Sequence, residues 1–167
     1  MYRSGLSLGD SRPISYLGTD PRTVLLFRVG LISGAGLLAA FAWAVDFRQS
    51  RSSGFLTVFL LGMACQVIVA AVPISAAGLS HDIHVAAGIL LGLSLPILMW
   101  RFAAVQVPGR WRTQCYVLMW LEVAACFGGV TLSRAGRASL AEALPACLFH
   151  LWIIVVTVRW RSLERIT

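Results

Sequence analysis

Five long apolar runs, separated by short polar segments, organise this chain. Each run approaches the roughly 20 consecutive apolar residues that a helix needs to cross the hydrocarbon layer of a bilayer. Charged residues gather between the runs, and proline or glycine marks several of their ends. The pattern predicts an all-α integral membrane bundle with five transmembrane helices, near Val24–Val45, Phe55–Val72, Ile83–Trp100, Cys115–Leu132 and Leu140–Val158.

The composition agrees with a membrane protein. Of the 167 residues, 58% are hydrophobic and 13% are charged, whereas a soluble domain is about half apolar and about a quarter charged. Residues 1–20 are polar and lack the apolar core of a signal peptide. We therefore expect a polar extracytoplasmic tail over 1–21, a five-helix transmembrane domain over 22–161 and a short cytoplasmic tail over 162–167.

The positive charge of the chain indicates its orientation. The formal net charge is +7, and all 14 basic residues are arginines, most of which flank the apolar runs. Arginines in that position anchor helix ends to lipid phosphates, so membrane lipids and not nucleic acid are the expected partners. The 73–82 loop contains no arginine, whereas the 101–114 loop contains three. The positive-inside rule then predicts a plasma or inner membrane protein with its N-terminus outside and its C-terminus in the cytoplasm.

The four cysteines do not indicate a metal site or a disulfide framework. Cys65, Cys115, Cys126 and Cys147 lie in or at the edge of apolar runs, and no two of them form a C-x-x-C pair. Small apolar packing is their expected role. The chain also lacks the Walker loop, the H-E-x-x-H helix and the G-x-S-x-G elbow. We expect no metal and no cofactor.

Two G-x-x-x-G patterns predict close contacts between helices. Gly30 and Gly34 lie in the first apolar run, and Gly88 and Gly92 lie in the third. Glycines four residues apart flatten one face of a helix, so that another backbone approaches closely. We expect these faces to pack within the bundle first and to mediate dimerisation second.

The polar sequence HDIH at the start of the third run raises the question of a ligand site. At 100° per residue, His81 and His84 share a face with the glycines of this run, while Asp82 points away. His150, the remaining histidine, lies roughly 8–13 Å deeper, too far for a shared metal or haem. We expect His84 to bond loop carbonyls and water. The alternative is an outer groove, formed by Ser80, His81 and His84, that contacts a lipid headgroup.

Glu122 lies near the middle of the fourth run. An ionised carboxylate at mid-bilayer costs several kcal/mol unless it is paired, so intramembrane acids are candidates for function. Gln66, Ser94 and His150 lie at similar depths in other runs, which predicts a buried polar layer with Glu122. The layer is expected to be a structural network around a protonated Glu122. Proton relay or acid–base catalysis by Glu122 and His150 is the alternative.

Two stretches resemble a bacterial family, the domain of unknown function 998. The stretch PISYLGTDPRTVLLFRVGLISGAGLL resembles that family's S-x-x-LG sequence followed by a glycine-rich helix, with Ser15, Leu17 and Gly18 in the motif positions. The stretch AAVPISAAGLSHDIHVAAGILLGLSLP resembles its outer loop and the helix that follows. Pro73 matches the loop proline and His84 the histidine that starts the helix.

The resemblance covers most of residues 13–160 and implies a layout more than a chemistry. Family members carry a further transmembrane helix ahead of the S-x-x-LG stretch, which lies outside. That helix has no counterpart here, which favours an outside N-terminus and leaves open whether the true start lies upstream. The layout is distantly similar to the Frag/DRAM/Sfk group of membrane proteins, which is linked to lipid and membrane homeostasis. The resemblance supplies no catalytic residues.

Taken together, these patterns predict a non-enzymatic, multi-pass membrane protein. It would be a lipid-associated or envelope-homeostasis factor, or an accessory subunit, whose partners are membrane lipids, another membrane protein or a second copy of itself. The alternative is an intramembrane enzyme or a proton-coupled carrier that uses a buried pair of Glu122 and His150.

Overall fold

All regular structure in the described residues is helical. The computed structural model describes residues 11–48, 54–74 and 77–164, with only the main chain for 48 and 160–164. In this part of the chain a short 3₁₀ helix at Ile14–Gly18 precedes five α-helices. These are α1 (Val24–Arg48), α2 (Phe55–Ala71), α3 (Leu79–Ala104), α4 (Arg110–Arg134) and α5 (Ala138–Glu164).

Each predicted apolar run coincides with one helix, but four helices extend past their runs into polar residues. α3 begins at Leu79 and not at Ile83, and α4 begins at Arg110 and not at Cys115. A helix is propagated by main-chain hydrogen bonds, and arginine is a good helix former, so a polar side chain does not end it. Hydropathy therefore located the apolar part of each helix, including the starts of α1 and α2, but missed the polar turns that extend four of them.

Glycine in the left-handed region ends α4 and allows the chain to reverse. Gly136 has φ 74°, a conformation that costs a glycine little. Its N–H donates to the Ser133 carbonyl at 3.0 Å, and the Arg137 N–H donates to the Leu132 carbonyl at 2.9 Å. These bonds satisfy carbonyls that the helix end leaves free. α5 then starts two residues later, at Ala138.

Four of the helices are long and apolar enough to cross a membrane. They are α1, α3, α4 and α5, whereas α2 is a shorter apolar helix of 17 residues. The exposed faces are apolar: Leu25, Leu26 and Leu37 of α1 are 74%, 78% and 74% exposed. Such continuous apolar exposure is typical of a surface that faces lipid. The chain thus has the features of a multi-pass membrane protein, and the predicted fifth span is not fully confirmed.

The chain divides into two compact units, and the first runs from Ile14 to Met119. Within it α2 packs against both α1 and α3, and the 3₁₀ helix packs on α1. Aromatic rings fill the core: the centroid of Phe55 lies 5.7 Å from that of Phe59 and 6.3 Å from that of Phe102. All three side chains are fully buried. These rings therefore pack the start of α2 against the end of α3.

The second unit contains the chain from Trp120 onward and the segment before Ile14. The ring of Phe149 stacks on that of Trp152 with centroids 5.7 Å apart. The Ser139 hydroxyl, which is buried in the first turn of α5, donates to the Arg12 carbonyl at 2.5 Å. This bond attaches the start of α5 to the segment ahead of the 3₁₀ helix.

Candidate functional site

The loop between α2 and α3 is held by two side chains from the first turns of α3. The Nδ1 atom of His84 lies 2.7 Å from the Val72 carbonyl, and the Ser80 hydroxyl donates to the Pro73 carbonyl at 2.8 Å. Because a carbonyl only accepts, Nδ1 of His84 carries the proton in this bond. Both carbonyls lie just beyond the end of α2, where no helical donor reaches them.

His84 itself is 5% exposed, as its position on the inner face of α3 predicts. His81, one turn earlier, is half-buried, and Asp82 is exposed. The expected bond from His84 to a loop carbonyl is present. The contact of Ser80, His81 and His84 with a lipid headgroup stays a prediction, and two of the three use a polar atom to fix the loop.

The predicted polar layer has two members in the first unit, and each of them bonds a main-chain carbonyl. Nε2 of Gln66 on α2 donates to the Leu31 carbonyl of α1 at 2.9 Å. The Ser94 hydroxyl donates to the Leu91 carbonyl of its own helix at 2.7 Å. Gln66 therefore links two helices, whereas Ser94 satisfies its hydroxyl locally.

Glu122 is fully buried at the centre of α4. It lies midway between Arg110 and Arg134, about 18 Å from either end at 1.5 Å per residue. The Cys126 thiol, one turn later, donates to Oε1 over 3.9 Å, a long and weak contact. Oε2 is buried without a hydrogen-bond partner among the described residues. A carboxyl in this setting is best accommodated in its neutral form, because an unpaired charge at this depth is costly.

His150 does not take the place that the sequence predicted for it. It is exposed, and its Nδ1 lies 2.6 Å from the Ala146 carbonyl of its own helix. The prediction that His150 belongs to a buried layer is therefore wrong. A helical wheel assigns residues to faces, but it does not say which face of a helix that is apolar nearly all round turns inward.

Of the four glycines predicted to pack between helices, one lies at a helix contact. A Cβ added to Gly30, Gly88 or Gly92 would meet no atom of another residue within 4 Å, so their expected packing within the bundle is not found in the described chain. Gly34 does lie at the α1–α2 interface, where an added Cβ would stand 3.5 Å from Nε2 of Gln66. The glycine thus gives the Gln66 amide room to reach α1.

Two other glycines make the tight contacts. A Cβ on Gly62 of α2 would stand 2.5 Å from the Ser94 hydroxyl of α3, and one on Gly129 of α4 would stand 2.9 Å from the Ala141 carbonyl oxygen of α5. Neither glycine has a partner four residues away, so the G-x-x-x-G pattern does not detect them.

The stretch with Ser15, Leu17 and Gly18 forms the 3₁₀ helix that docks on the start of α1. Ser15 and Gly18 are buried, and a Cβ on Gly18 would stand 3.0 Å from the Phe27 ring. The Leu17 carbonyl accepts a hydrogen bond from the Thr23 hydroxyl at 2.8 Å. The glycine therefore lets the turn lie flat against α1, which gives this motif a packing role.

Titratable side chains do not converge on a common centre. Among the residues that the structure describes, no group of three or more His, Cys, Asp or Glu side chains is placed to hold a metal ion. None of the four cysteines, all of which lie in the described residues, forms a disulfide. A second buried acid that the sequence analysis did not single out is Asp46, near the end of α1. It is 9% exposed, and its Oδ1 lacks a partner within the described ranges.

Comparison with known proteins identifies a family. The family model described as a protein of unknown function, DUF998, matches residues 9–159, which confirms the resemblance seen in the two sequence stretches. No curated protein and no solved structure matches the chain.

Proposed function

Because the chain belongs to the DUF998 family, whose function is unknown, we propose a function from the geometry of the chain itself. We propose that it is a non-enzymatic, multi-pass protein of the cell membrane. It would act in lipid or envelope homeostasis, on its own or as an accessory subunit. One observation carries the proposal. Three of the polar side chains singled out from the sequence are bonded to main-chain carbonyls and so serve the fold. His84 fixes the Val72 carbonyl, Gln66 joins α2 to α1, and His150 bonds its own helix.

A fifth span through α2 belongs to this proposal. The 17 residues of α2 measure about 25 Å at 1.5 Å per residue, slightly less than the hydrocarbon thickness of about 30 Å. Its contacts with α1 and α3, both long enough to cross, favour the same membrane depth. With five crossings, an N-terminus outside implies a C-terminus in the cytoplasm.

Impermeant thiol labelling of intact cells tests this topology. In a background with the four native cysteines replaced by alanine, Ala77→Cys is expected to react from outside and Pro108→Cys only after permeabilisation. The two positions lie at opposite ends of α3, which makes each the control for the other. Reaction at Pro108→Cys alone would reverse the proposed orientation. Reaction at both in intact cells would contradict a crossing by α3.

The lipid contact is placed at the outer start of α3. The polar atoms of Ser80, His81 and His84 adjoin exposed apolar side chains, since Leu79 is 75% exposed and Ile83 is 40% exposed. Such a border of apolar and polar groups matches the level of lipid headgroups. His81→Ala is the variant that probes this contact, because it leaves the loop bonds of His84 and Ser80 in place.

Association with another copy or another membrane protein is part of the same proposal. A Cβ added to Gly88 or Gly92 of α3 would meet nothing within 4 Å, and two glycine-lined helix faces can approach each other closely. Disulfide cross-linking of a Gly88→Cys variant in membranes tests self-association. A cross-linked dimer is expected, and its absence with the protein at native levels would favour a different partner.

Complementation of a deletion strain under envelope stress tests the non-enzymatic role. Glu122→Gln combined with His150→Ala is expected to restore growth as well as the unaltered protein does, because neither side chain carries a reaction. The amount of each variant in the membrane is measured in parallel. A double variant that accumulates normally and fails to restore growth would contradict the proposal.

A proton-coupled carrier is a second candidate, and the buried, unbonded Oε2 of Glu122 is the observation that favours it. The pair proposed for such a carrier is weakened, because His150 is exposed and bonded within α5. A carrier would therefore depend on Glu122 alone. In the same complementation test, failure of Glu122→Gln together with success of His150→Ala would select this function.

A further inference from the structure

The turn between α3 and α4 is a fixed structure with an apolar tip. Nε2 of Gln106 donates to the Phe102 carbonyl at 3.1 Å, and its Oε1 accepts from the Trp111 indole at 3.1 Å. One amide thus joins the end of α3 to the start of α4. Val105 and Val107, on either side of Gln106, are 47% and 83% exposed. The turn therefore presents apolar side chains outward from a rigid base.

Three arginines surround this tip without an acidic residue in the same stretch of chain. Arg101 ends α3, while Arg110 and Arg112 begin α4, and no Asp or Glu occurs between residues 83 and 121. Arg110 is exposed. The guanidinium groups of Arg101 and Arg112 lie 5.2 Å from the Trp100 ring and 5.7 Å from the Tyr116 ring. Cation–π contact holds a guanidinium in place without removing its positive charge.

The charge at the start of α4 is opposite to the charge that a helix favours there. The first turn of a helix carries a partial positive charge and free N–H groups, which favour Asp or Glu. The first turn of α4 contains no acid, and it contains Arg110 and Arg112. Both arginines raise the electrostatic cost of this helix start. An anion from outside the chain would bind the N–H groups and the guanidinium groups together.

The acidic residue that lies near this end of the unit is buried. Asp46 lies near the end of α1, and α1 and α3 end on the same side because α2 runs back between them. Its carboxylate is buried, with an exposed fraction of 9%. Gly54, at the start of α2, lies on that side too, since an added Cβ would stand 3.7 Å from the Arg101 guanidinium carbon. The exposed surface of the turn is therefore cationic.

From these observations we infer that the α3–α4 turn binds the phosphate of an anionic phospholipid through Arg110 and Arg112, with Val105 and Val107 in contact with the acyl region. The apolar tip favours a lipid over a phosphate from solution, because an exposed valine gains from contact with acyl chains and nothing from contact with inorganic phosphate. Trp100, which is 45% exposed, lies at the same helix end and is typical of the headgroup level. The inference rests on the membrane location given under the proposed function.

Native mass spectrometry of the detergent-purified full chain, titrated with phosphatidylglycerol or phosphatidylcholine, tests the inference. Phosphatidylglycerol is expected to bind more tightly than phosphatidylcholine. Arg110→Gln combined with Arg112→Gln is expected to weaken phosphatidylglycerol binding by about thirty-fold, since each arginine near an anionic surface contributes about a factor of five. Arg110→Lys with Arg112→Lys keeps both charges and is expected to retain most of the binding.

Arg134→Gln combined with Arg137→Gln is the matched control. It removes the same charge from exposed positions at the other end of α4. Because these charges lie far from the bound phosphate, phosphatidylglycerol binding is expected to change by less than about two-fold. Equal losses in the two double variants would overturn a specific site. So would equal binding of the two lipids, or displacement of phosphatidylglycerol by millimolar inorganic phosphate.

Retention in carbonate-washed membranes separates this inference from the proposed function. If the unaltered protein and the Arg110→Gln, Arg112→Gln variant are both retained and bind phosphatidylglycerol equally, the lipid site is wrong and the membrane location stands. If the unaltered protein is washed out, the membrane location itself is wrong, and the lipid site fails with it.

Discussion

Gly129 of α4 lies so close to Ala141 of α5 that a Cβ on the glycine would stand 2.9 Å from the alanine carbonyl oxygen. Pro145 lies four residues after Ala141 and lacks the N–H that would bond this carbonyl in a regular helix. The Ala141 carbonyl instead faces the Cα of Gly129, where a hydrogen atom fits and a Cβ does not. The absence of a side chain at Gly129 and the proline in α5 therefore belong to one packing arrangement.

Gly129→Ala is expected to destabilise the protein by about 1–3 kcal/mol, because the obstacle is a main-chain atom and the two helices must separate to admit a methyl group. Gly128→Ala is the control, since an added Cβ there meets nothing within 4 Å. The free energy of unfolding in mixed micelles measures both variants. Equal stability of the two would contradict the close α4–α5 contact.

Gly62→Ala is expected to cost about 1–2 kcal/mol in the first unit. The new methyl group would displace the Ser94 hydroxyl, which stands 2.5 Å from its position, and break the bond to the Leu91 carbonyl. Adding Ser94→Ala removes the obstructing oxygen and is expected to recover part of the loss. Thermal unfolding of the single and double variants measures the coupling, and Gly36→Ala, where an added Cβ meets nothing within 4 Å, serves as the open-site control. Strictly additive effects would contradict a direct contact.

These glycines show why the contacts between helices are harder to predict from the sequence than the helices themselves. Spacing indicates that Gly88 and Gly92 flatten one side of α3, yet that side is open in the described chain. The contact at Gly129 depends on the angle and offset of α5, and a single glycine carries no pattern from which to infer them. Length and hydropathy specify a helix locally, whereas a crossing point depends on two helices at once.

His84→Ala is expected to loosen the loop between α2 and α3. Removal of the imidazole leaves the Val72 carbonyl without its donor at 2.7 Å, at a cost of about 1–3 kcal/mol where water does not replace it. Faster thiol labelling of Ala77→Cys is the expected sign. His150→Ala is the control, because that histidine is exposed and bonds only its own helix. An unchanged rate of labelling at Ala77→Cys in the His84→Ala variant would contradict the structural role assigned to this histidine.

Glu122 is expected to react with a hydrophobic carbodiimide and not with a water-soluble one. The reaction requires a protonated carboxyl, and the buried Glu122 side chain has a single weak donor in Cys126, which favours the neutral form. Asp82, exposed at the start of α3, is expected to show the opposite preference. Peptide mass spectrometry locates each adduct. Labelling of Glu122 by the water-soluble reagent would indicate a hydrated carboxylate.

Glu122→Gln is expected to change the free energy of unfolding by less than about 1 kcal/mol. The amide keeps the shape of a neutral carboxyl and still accepts from the Cys126 thiol. Chemical unfolding of this variant beside Asp82→Asn measures the effect. A much larger loss would mean that Glu122 is ionised and paired, which would support the carrier function.

The sequence by itself determined that the chain is an all-helical protein of the DUF998 family with apolar helices of membrane length, and that Glu122 lies at mid-helix. These properties depend on the length of apolar runs, on short motifs and on position along one helix. Only the tertiary structure decided that His150 faces outward, that Gln66 reaches α1, and that Gly62 and Gly129 make the tight contacts. Helices that are apolar nearly all round have little preference for one rotation, so their orientation comes from packing between residues far apart in the chain.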